Sequence, residues 1–152
     1  MYRRSLLLFF LLGGCTSYEQ PTHVKNCQDL VYSYPEVRDK GNEDQYAALF
    51  TDNARFTVEK LNISLNNKTE IVDRFNKARN NTQTVHMMTS SRQFRKNDAL
   101  AGESHFILLL KNNAQPTTTK IISGRYLDTF DYDTSQCRFS SRKVEIDRMD
   151  AL

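Results

Sequence analysis

The chain has little of several things. In 152 residues it has no tryptophan, five glycines, three prolines and three cysteines. Its longest apolar run, LLLFFLL from Leu6 to Leu12, falls well short of the roughly 20 residues a helix needs to cross a bilayer. It has no excess of one charge sign: 21 Lys and Arg stand against 18 Asp and Glu, a formal net charge of +3, with the basic residues scattered rather than gathered in a stripe. Nothing therefore points to a nucleic-acid partner. The three histidines, His23, His86 and His105, lack zinc-ligand spacing. G-x-S-x-G, a phosphate loop and a paired-cysteine motif are all missing, as are internal repeats and low-complexity tracts. No metal and no cofactor is expected.

What is present begins with a leader. Arg3 and Arg4 precede the apolar run, and Gly13 and Gly14 follow it, the order of a secretory signal. The next residue is Cys15, and LGGC resembles a bacterial lipobox, whose cysteine becomes the acylated N-terminus. Residues 1–14 are then a lipoprotein signal peptide and Cys15 a lipid anchor. Thr16 in the next position resembles an outer-membrane sorting signal, which implies an envelope protein facing the periplasm. Loss of Arg3 and Arg4 takes two charges from +3 and leaves +1. Residues 15–23, polar and without periodicity, read as a tether, and residues 24–148 as one domain with a single core. Cys27 and Cys137 are the two remaining thiols. An exported chain permits a disulfide between them, and two separate buried thiols are the alternative.

From Val24 the apolar residues Cys27, Leu30, Val31 and Tyr34 recur at helical spacing. Pro35 predicts a kink or break near Val31–Tyr34, and Gly41 a left-handed stop after Asp39. A short helix is expected over Glu43–Phe50, a turn at Thr51–Ala54, and a strand or loose hairpin over Arg55–Leu65. Asn67 and Glu70 fit a capping box for a third helix whose buried stripe is Ile71, Val72, Phe75 and Ala78. Long strands follow at Thr82–Lys96, Leu100–Lys111, Thr117–Asp133 and Cys137–Asp147. Helices followed by an antiparallel meander predict an α+β fold, with helices covering one face of a curved sheet.

Three segments carry a resemblance: DKGNEDQYAALFTDNARFTVE, VHMMTS and SGRYLDTFDYDTSQCRFSSRKVEID. In this order they resemble the SnoaL-like branch of the nuclear-transport-factor-2-like superfamily. The resemblance implies a cone: a strongly curved antiparallel sheet and three helices closing a pocket. The chain departs from the pattern at Pro35, at Asn67–Lys68 where a glycine is usual, and at Cys137 where an aromatic is usual.

Scytalone dehydratase-like and dehydrochlorinase-like members of that superfamily resemble one another in a helix-end Asp and a strand His. Asp39 and His86 stand at the matching positions. A neutral imidazole accepts a proton near pH 7, and a carboxylate behind it fixes the tautomer and stabilises the imidazolium. Such a pair can abstract a proton next to an activating group, giving elimination or isomerisation. The resemblance also implies substrate contacts. Arg142 could hold a leaving anion or a carboxylate, or else form a salt bridge on the sheet. Tyr34, about one and a half turns before Asp39, and Tyr126 could donate to a substrate, though both also read as core residues. Ser104 matches the place of a second His in scytalone dehydratase-like proteins, and His105 should face the other way. Met87, Met88 and Phe94 are expected near His86.

The leading expectation is a lipid-anchored domain with a pocket for a small hydrophobic or aromatic molecule, acting as a lyase or isomerase. The alternatives are a non-catalytic envelope module that binds a ligand or partner, and a homodimer built on the open sheet face.

Overall fold

A computed structural model describes residues 22–133 and 135–152. The leader, Cys15 and the tether up to residue 21 lie outside the described residues. No described helix is long and apolar enough to cross a membrane.

The elements run α1 (Thr22–Lys40), α2 (Glu43–Ala48), β1 (Phe50–Val58), a 3-10 turn at Glu59–Leu61, β2 (Ile63–Leu65), α3 (Lys68–Asn81), β3 (Thr82–Lys96), β4 (Ala99–Asn112), β5 (Gln115–Tyr132) and β6 (Cys137–Ala151). One six-stranded sheet has the order β2-β1-β6-β5-β4-β3. It is curved and unclosed, and three helices complete the α+β cone that the sequence predicts. The long strands β3 to β6 pair as an antiparallel meander. β1 joins β6 in parallel and β2 in antiparallel register. Irregularities between Met88 and Ser90, between Ser123 and Gly124, and between Thr129 and Phe130 break the ladder where the strands bend.

Turn chemistry is local and readable. Asn42 caps α2 with a full capping box to Gln45, and the Asn67 side chain accepts from the Glu70 amide at 2.9 Å. Glu70 reaches back to the Asn66 amide rather than to that of Asn67. Asn97 and Asp98 both have positive φ, 50° and 63°, as a two-residue type I′ hairpin demands. The turn before β6 has no glycine. Asp133 builds it by accepting from the Ser135 and Gln136 amides and the Ser135 hydroxyl.

Three expectations are corrected. Of the kink or break expected near Val31–Tyr34, the break is absent: α1 runs helical through Pro35. The residues on either side of the proline are held by burial: before it Val31 and Tyr34 are in the core and Cys27, about two turns upstream, is disulfide-bonded, and after it Val37 packs against the same core. Gly41 is not left-handed, since no glycine among the described residues has positive φ. Its amide still donates to Val37 at 2.9 Å, and a Cβ there would stand 2.5 Å from the Val37 carbonyl oxygen, so close approach is what excludes a side chain. Thr51–Ala54 is not a separate turn. It belongs to β1, which shifts register against β6 between Phe50 and Arg55 and so keeps strand character through turn-like residues.

The core lies between the inner sheet face and the helices. Val31 and Tyr34 from α1, Tyr46 from α2 and Ile71 and Phe75 from α3 meet Phe50, Phe106, Tyr126, Phe130 and Phe139 from the strands. Tyr46 stacks on Phe75 with ring centroids 4.1 Å apart. Arg142 sits among these rings, fully buried. Its Nε and Nη2 donate to the two oxygens of Asp128, each at 2.8 Å. Its guanidinium carbon lies 4.0 Å from the Tyr34 ring centroid, 4.3 Å from Tyr126 and 3.9 Å from Phe139. Burial works against both charges. The bidentate fork outweighs it for Arg142, whose pKa rises further above the ordinary arginine value. Arg142→Ala would leave Asp128 buried and unpaired, so it should lower the free energy of unfolding by about 3–5 kcal/mol in urea denaturation.

Cys27 and Cys137 form a disulfide with Cα atoms 5.1 Å apart, pinning α1 to the start of β6. The closed loop spans 110 residues. Cross-linking so long a loop restricts the unfolded chain by about 5 kcal/mol in the loop-entropy picture. Cys27→Ala/Cys137→Ala protein should therefore melt roughly 10 °C lower than the oxidised wild type in calorimetry.

Candidate active site

α1 ends against β3, the edge strand of the sheet. α3 passes into β3 at Thr82 with no loop between them. On β3 the residues Thr84, His86 and Met88 face inward, because side chains alternate along a strand. An edge strand also leaves alternate backbone amides without a strand partner. Asp39, in the last turn of α1, meets all of these needs at once. Its Oδ2 accepts from the His86 backbone N–H at 2.6 Å. Its Oδ1 accepts from the Thr84 hydroxyl at 2.7 Å and from His86 Nδ1 at 2.6 Å. The side chains of Asp39 and His86 are 10% and 5% exposed, so the pair is largely shielded from water.

The electrostatics set the protonation state. Burial is the largest influence on His86 and pulls its pKa below the ordinary histidine value, although Asp39 pulls the other way. Burial raises Asp39, but the hydrogen bonds from the His86 ring, the His86 amide and Thr84 overcome that and hold it below the ordinary carboxylate value. Near neutral pH the pair is a carboxylate beside a neutral imidazole. A carboxylate can only accept, so Nδ1 carries the proton and Nε2 keeps its lone pair.

The His86 ring lines a cavity of about 250 Å³ between the helices and the inner sheet face. Phe56, Val58, Ile63, Leu108, Ile122 and Val144 give it an apolar wall, and Tyr34 and Tyr126 stand beside the histidine. Tyr34 lies edge-on to His86 with centroids 6.1 Å apart, and edge-on to Tyr126 at 5.7 Å. Burial raises the Tyr126 phenol well above the ordinary tyrosine value, so it stays protonated and can donate. A wider depression along α3, between Leu65, Glu70, Lys77 and Asn81, is more open and contains no histidine. The chemistry is therefore assigned to the His86 cavity.

The structure thus brings together Asp39, His86, Tyr34 and Tyr126. Arg142 is not on the cavity wall: it is fully buried on the rings of both tyrosines, with Nε and Nη2 on Asp128 and Nη1 enclosed without a partner, so it does not face the cavity as a substrate contact would. Of the salt-bridge and anion-contact alternatives, the geometry matches the first. Ser104 is buried, and its hydroxyl lacks a hydrogen-bond partner. His105 faces outward and contacts Ser90 Oγ at 3.0 Å. Met88 faces the core, but Met87 and Phe94 are outside, 42% and 36% exposed. The bulge between Met88 and Ser90 changes the alternation, which puts Phe94 on the outer face beneath the Arg92 guanidinium. Sequence reasoning missed Thr84 and Arg38. Each carried a signal: Thr84 is two residues from His86 on one strand face, and Arg38 is four residues from Tyr34 on one helix face. Among the described residues no three His, Cys, Asp or Glu side chains converge as metal ligands would.

A family model described as the SnoaL-like domain matches residues 22–143. The chain belongs to the SnoaL-like family. No curated protein sequence matches it. Several solved structures share the fold at low identity. A provisionally assigned aromatic ring hydroxylase from Novosphingobium aromaticivorans superposes with a TM-score of 0.76 at 15% identity, covering 88% of this chain and 96% of that one. The hexachlorocyclohexane dehydrochlorinase LinA-type3 from Novosphingobium barchaimii gives 0.73 at 20% identity, over 84% and 88% of the two chains. A provisionally assigned scytalone dehydratase from Novosphingobium aromaticivorans gives 0.67 at 15% identity, over 83% and 85%. The SnoaL-like fold of this chain is thus shared with dehydrochlorinase and dehydratase neighbours.

His86 should titrate below about 6.5 in the folded protein, followed by NMR of its ring protons. Asp39→Asn should lower that value further, because the carboxylate favours the imidazolium. An unfolded histidine takes its proton near pH 6.5 and the folded one later, as pH falls. The His86 contribution to stability is therefore complete above about 6.5 and is lost as pH falls from there through the folded value.

Proposed function

We propose that this SnoaL-like protein is a cofactor-independent lyase or isomerase, with Asp39 and His86 as its base, tethered to the bacterial envelope through Cys15. The observation that carries the reading is the Asp39 carboxylate bound to His86 Nδ1 at 2.6 Å while the same ring faces an apolar cavity. Nε2 takes a proton from a carbon next to an activating group. The electron pair left on carbon then either expels a leaving group, which is elimination, or is reprotonated at another carbon, which is isomerisation. The imidazolium forms beside Asp39, which offsets its charge, and the proton is later returned to product or solvent. Tyr34 and Tyr126 are placed to donate to the oxygen of an activating carbonyl. The dehydrochlorinase and dehydratase among the fold neighbours are named for eliminations, which agrees with this reading.

Asp39→Asn and His86→Ala should each lower turnover of a small carbonyl-activated substrate by about 10²- to 10⁴-fold without changing the circular dichroism spectrum. The double variant should be little worse than either single one, because the two residues act as a unit. A pH profile of kcat/KM should lose activity only below pH 6.5. Folded variants with unchanged turnover would overturn the base assignment and favour a non-catalytic binding module. For the anchor, Cys15→Ser should move the protein from the membrane to the soluble fraction, and a wild-type protein already soluble and unmodified in its host would refute that part.

A further inference from the structure

Two arginines interrupt the largely apolar lining of the cavity, the half-buried Arg38 from α1 and the exposed Arg74 from α3. They also both line a small void beside Tyr46, Phe56 and Phe75, so they stand at the same boundary of the cavity. Arg38 is half-buried, yet neither arginine forms an ion pair or hydrogen bond with any described residue. On the sheet, by contrast, Arg92, Arg125 and Arg142 each bind a carboxylate. The Arg38 guanidinium rests on the Phe75 ring, 5.4 Å from its centroid. Such stacking seats the planar fork while leaving its N–H edges uncommitted. Its charge is felt at His86, Tyr46 and Tyr126, which places it within electrostatic range of the catalytic pair. A partly buried cation without a counter-ion bears a desolvation cost that a bound anion would relieve.

We infer that Arg38, assisted by Arg74, receives a carboxylate of the substrate, so that the cavity selects small apolar acids over neutral molecules of the same shape. The inference rests on the reading of this cavity as the substrate site. The planar fork of Arg38 matches a planar carboxylate in two parallel hydrogen bonds. The hydrocarbon body of the acid then lies against Phe56, Val58 and Leu108, and its reacting C–H end under His86. The carboxylate is an anchor, neither the leaving group nor the activating group. A neutral isostere would leave Arg38 unpaired at the moment water is expelled, and this is the kind of site that rejects strongly.

The test is isothermal titration of the full-length protein, in detergent micelles, with 3-phenylpropionate and cinnamate and with their primary amides. The acids should bind about tenfold or more tightly than the amides, and the preference should shrink as sodium chloride is raised. Arg38→Gln should bring the acids to the level of the amides, Arg38→Lys should keep part of the preference, and Arg74→Gln should reduce it by less. His86→Ala should leave the preference intact, so that failure of the base assignment and failure of this one are told apart. Amides binding as tightly as acids, or none of the four compounds binding, would overturn the inference. So would a full preference in Arg38→Gln and Arg74→Gln proteins with unchanged circular dichroism. The comparison in the wild type and its salt dependence need no variant and stand even if one of the variants does not fold.

Discussion

The rest of the molecule depends on one buried charge pair. Asp128 on β5 and Arg142 on β6 face each other across the ladder, and the guanidinium fills the space between Tyr34, Tyr126 and Phe139. α1 is seated on that cation through Tyr34. Tyr34 in turn fixes where the last turn of α1 falls, and with it the position of Asp39. A hydrophobic side chain of equal volume could fill the same space more cheaply. It would not offer a flat, directional surface on which three rings take defined positions. The pair exchanges some stability for a definite angle between helix and sheet, and the site is built on that angle.

Asp39 shows how one residue serves both architecture and chemistry. It accepts the otherwise idle amide of an edge strand, a threonine hydroxyl and an imidazole N–H. An ordinary helix-end carboxylate would be satisfied by solvent. Here its three partners all come from two alternate residues of β3, so the carboxylate fastens helix to strand and orients the histidine in the same act. Thr84 shares Oδ1 with the imidazole, which leaves that oxygen little freedom to swing away. The precision of the pair comes from this triple hold rather than from the acid and base alone.

Much of the fold is legible in the sequence because it is written locally. Cys27, Leu30, Val31 and Tyr34 keep helical period, β3 to β6 alternate over long stretches, and Asn67 with Glu70 announces α3. The parallel pairing of β1 with β6 is not written locally, since it depends on residues about ninety positions apart meeting in space. Gly41 reads as a left-handed stop and proves to be a matter of close packing, because sequence shows a glycine but not which atom it must avoid. Pro35 carries a strong local penalty that the burial on either side of it overrides. In the site, Asp39 and His86 stand out as residue types with chemistry, while Thr84 does not. Arg142 reads as either a ligand-facing charge or a salt bridge on the sheet, and its carboxylate partner is not written in the local sequence. Its burial against Asp128 depends on which face of β5 and β6 turns inward, which local register shifts decide.

The bulge at Thr89 divides β3 into two segments that run in opposite phase. Before it, even-numbered residues point into the cone; after it, Ser91 and Gln93 do. The facing of the far half of the strand therefore rests on Thr89 standing outside the ladder. Replacing Thr89 alters one exposed side chain, and deleting it would leave Ser91 and Gln93 inward; drawing Thr89 into the regular ladder is what would turn Arg92 and Phe94 inward and Ser91 and Gln93 out.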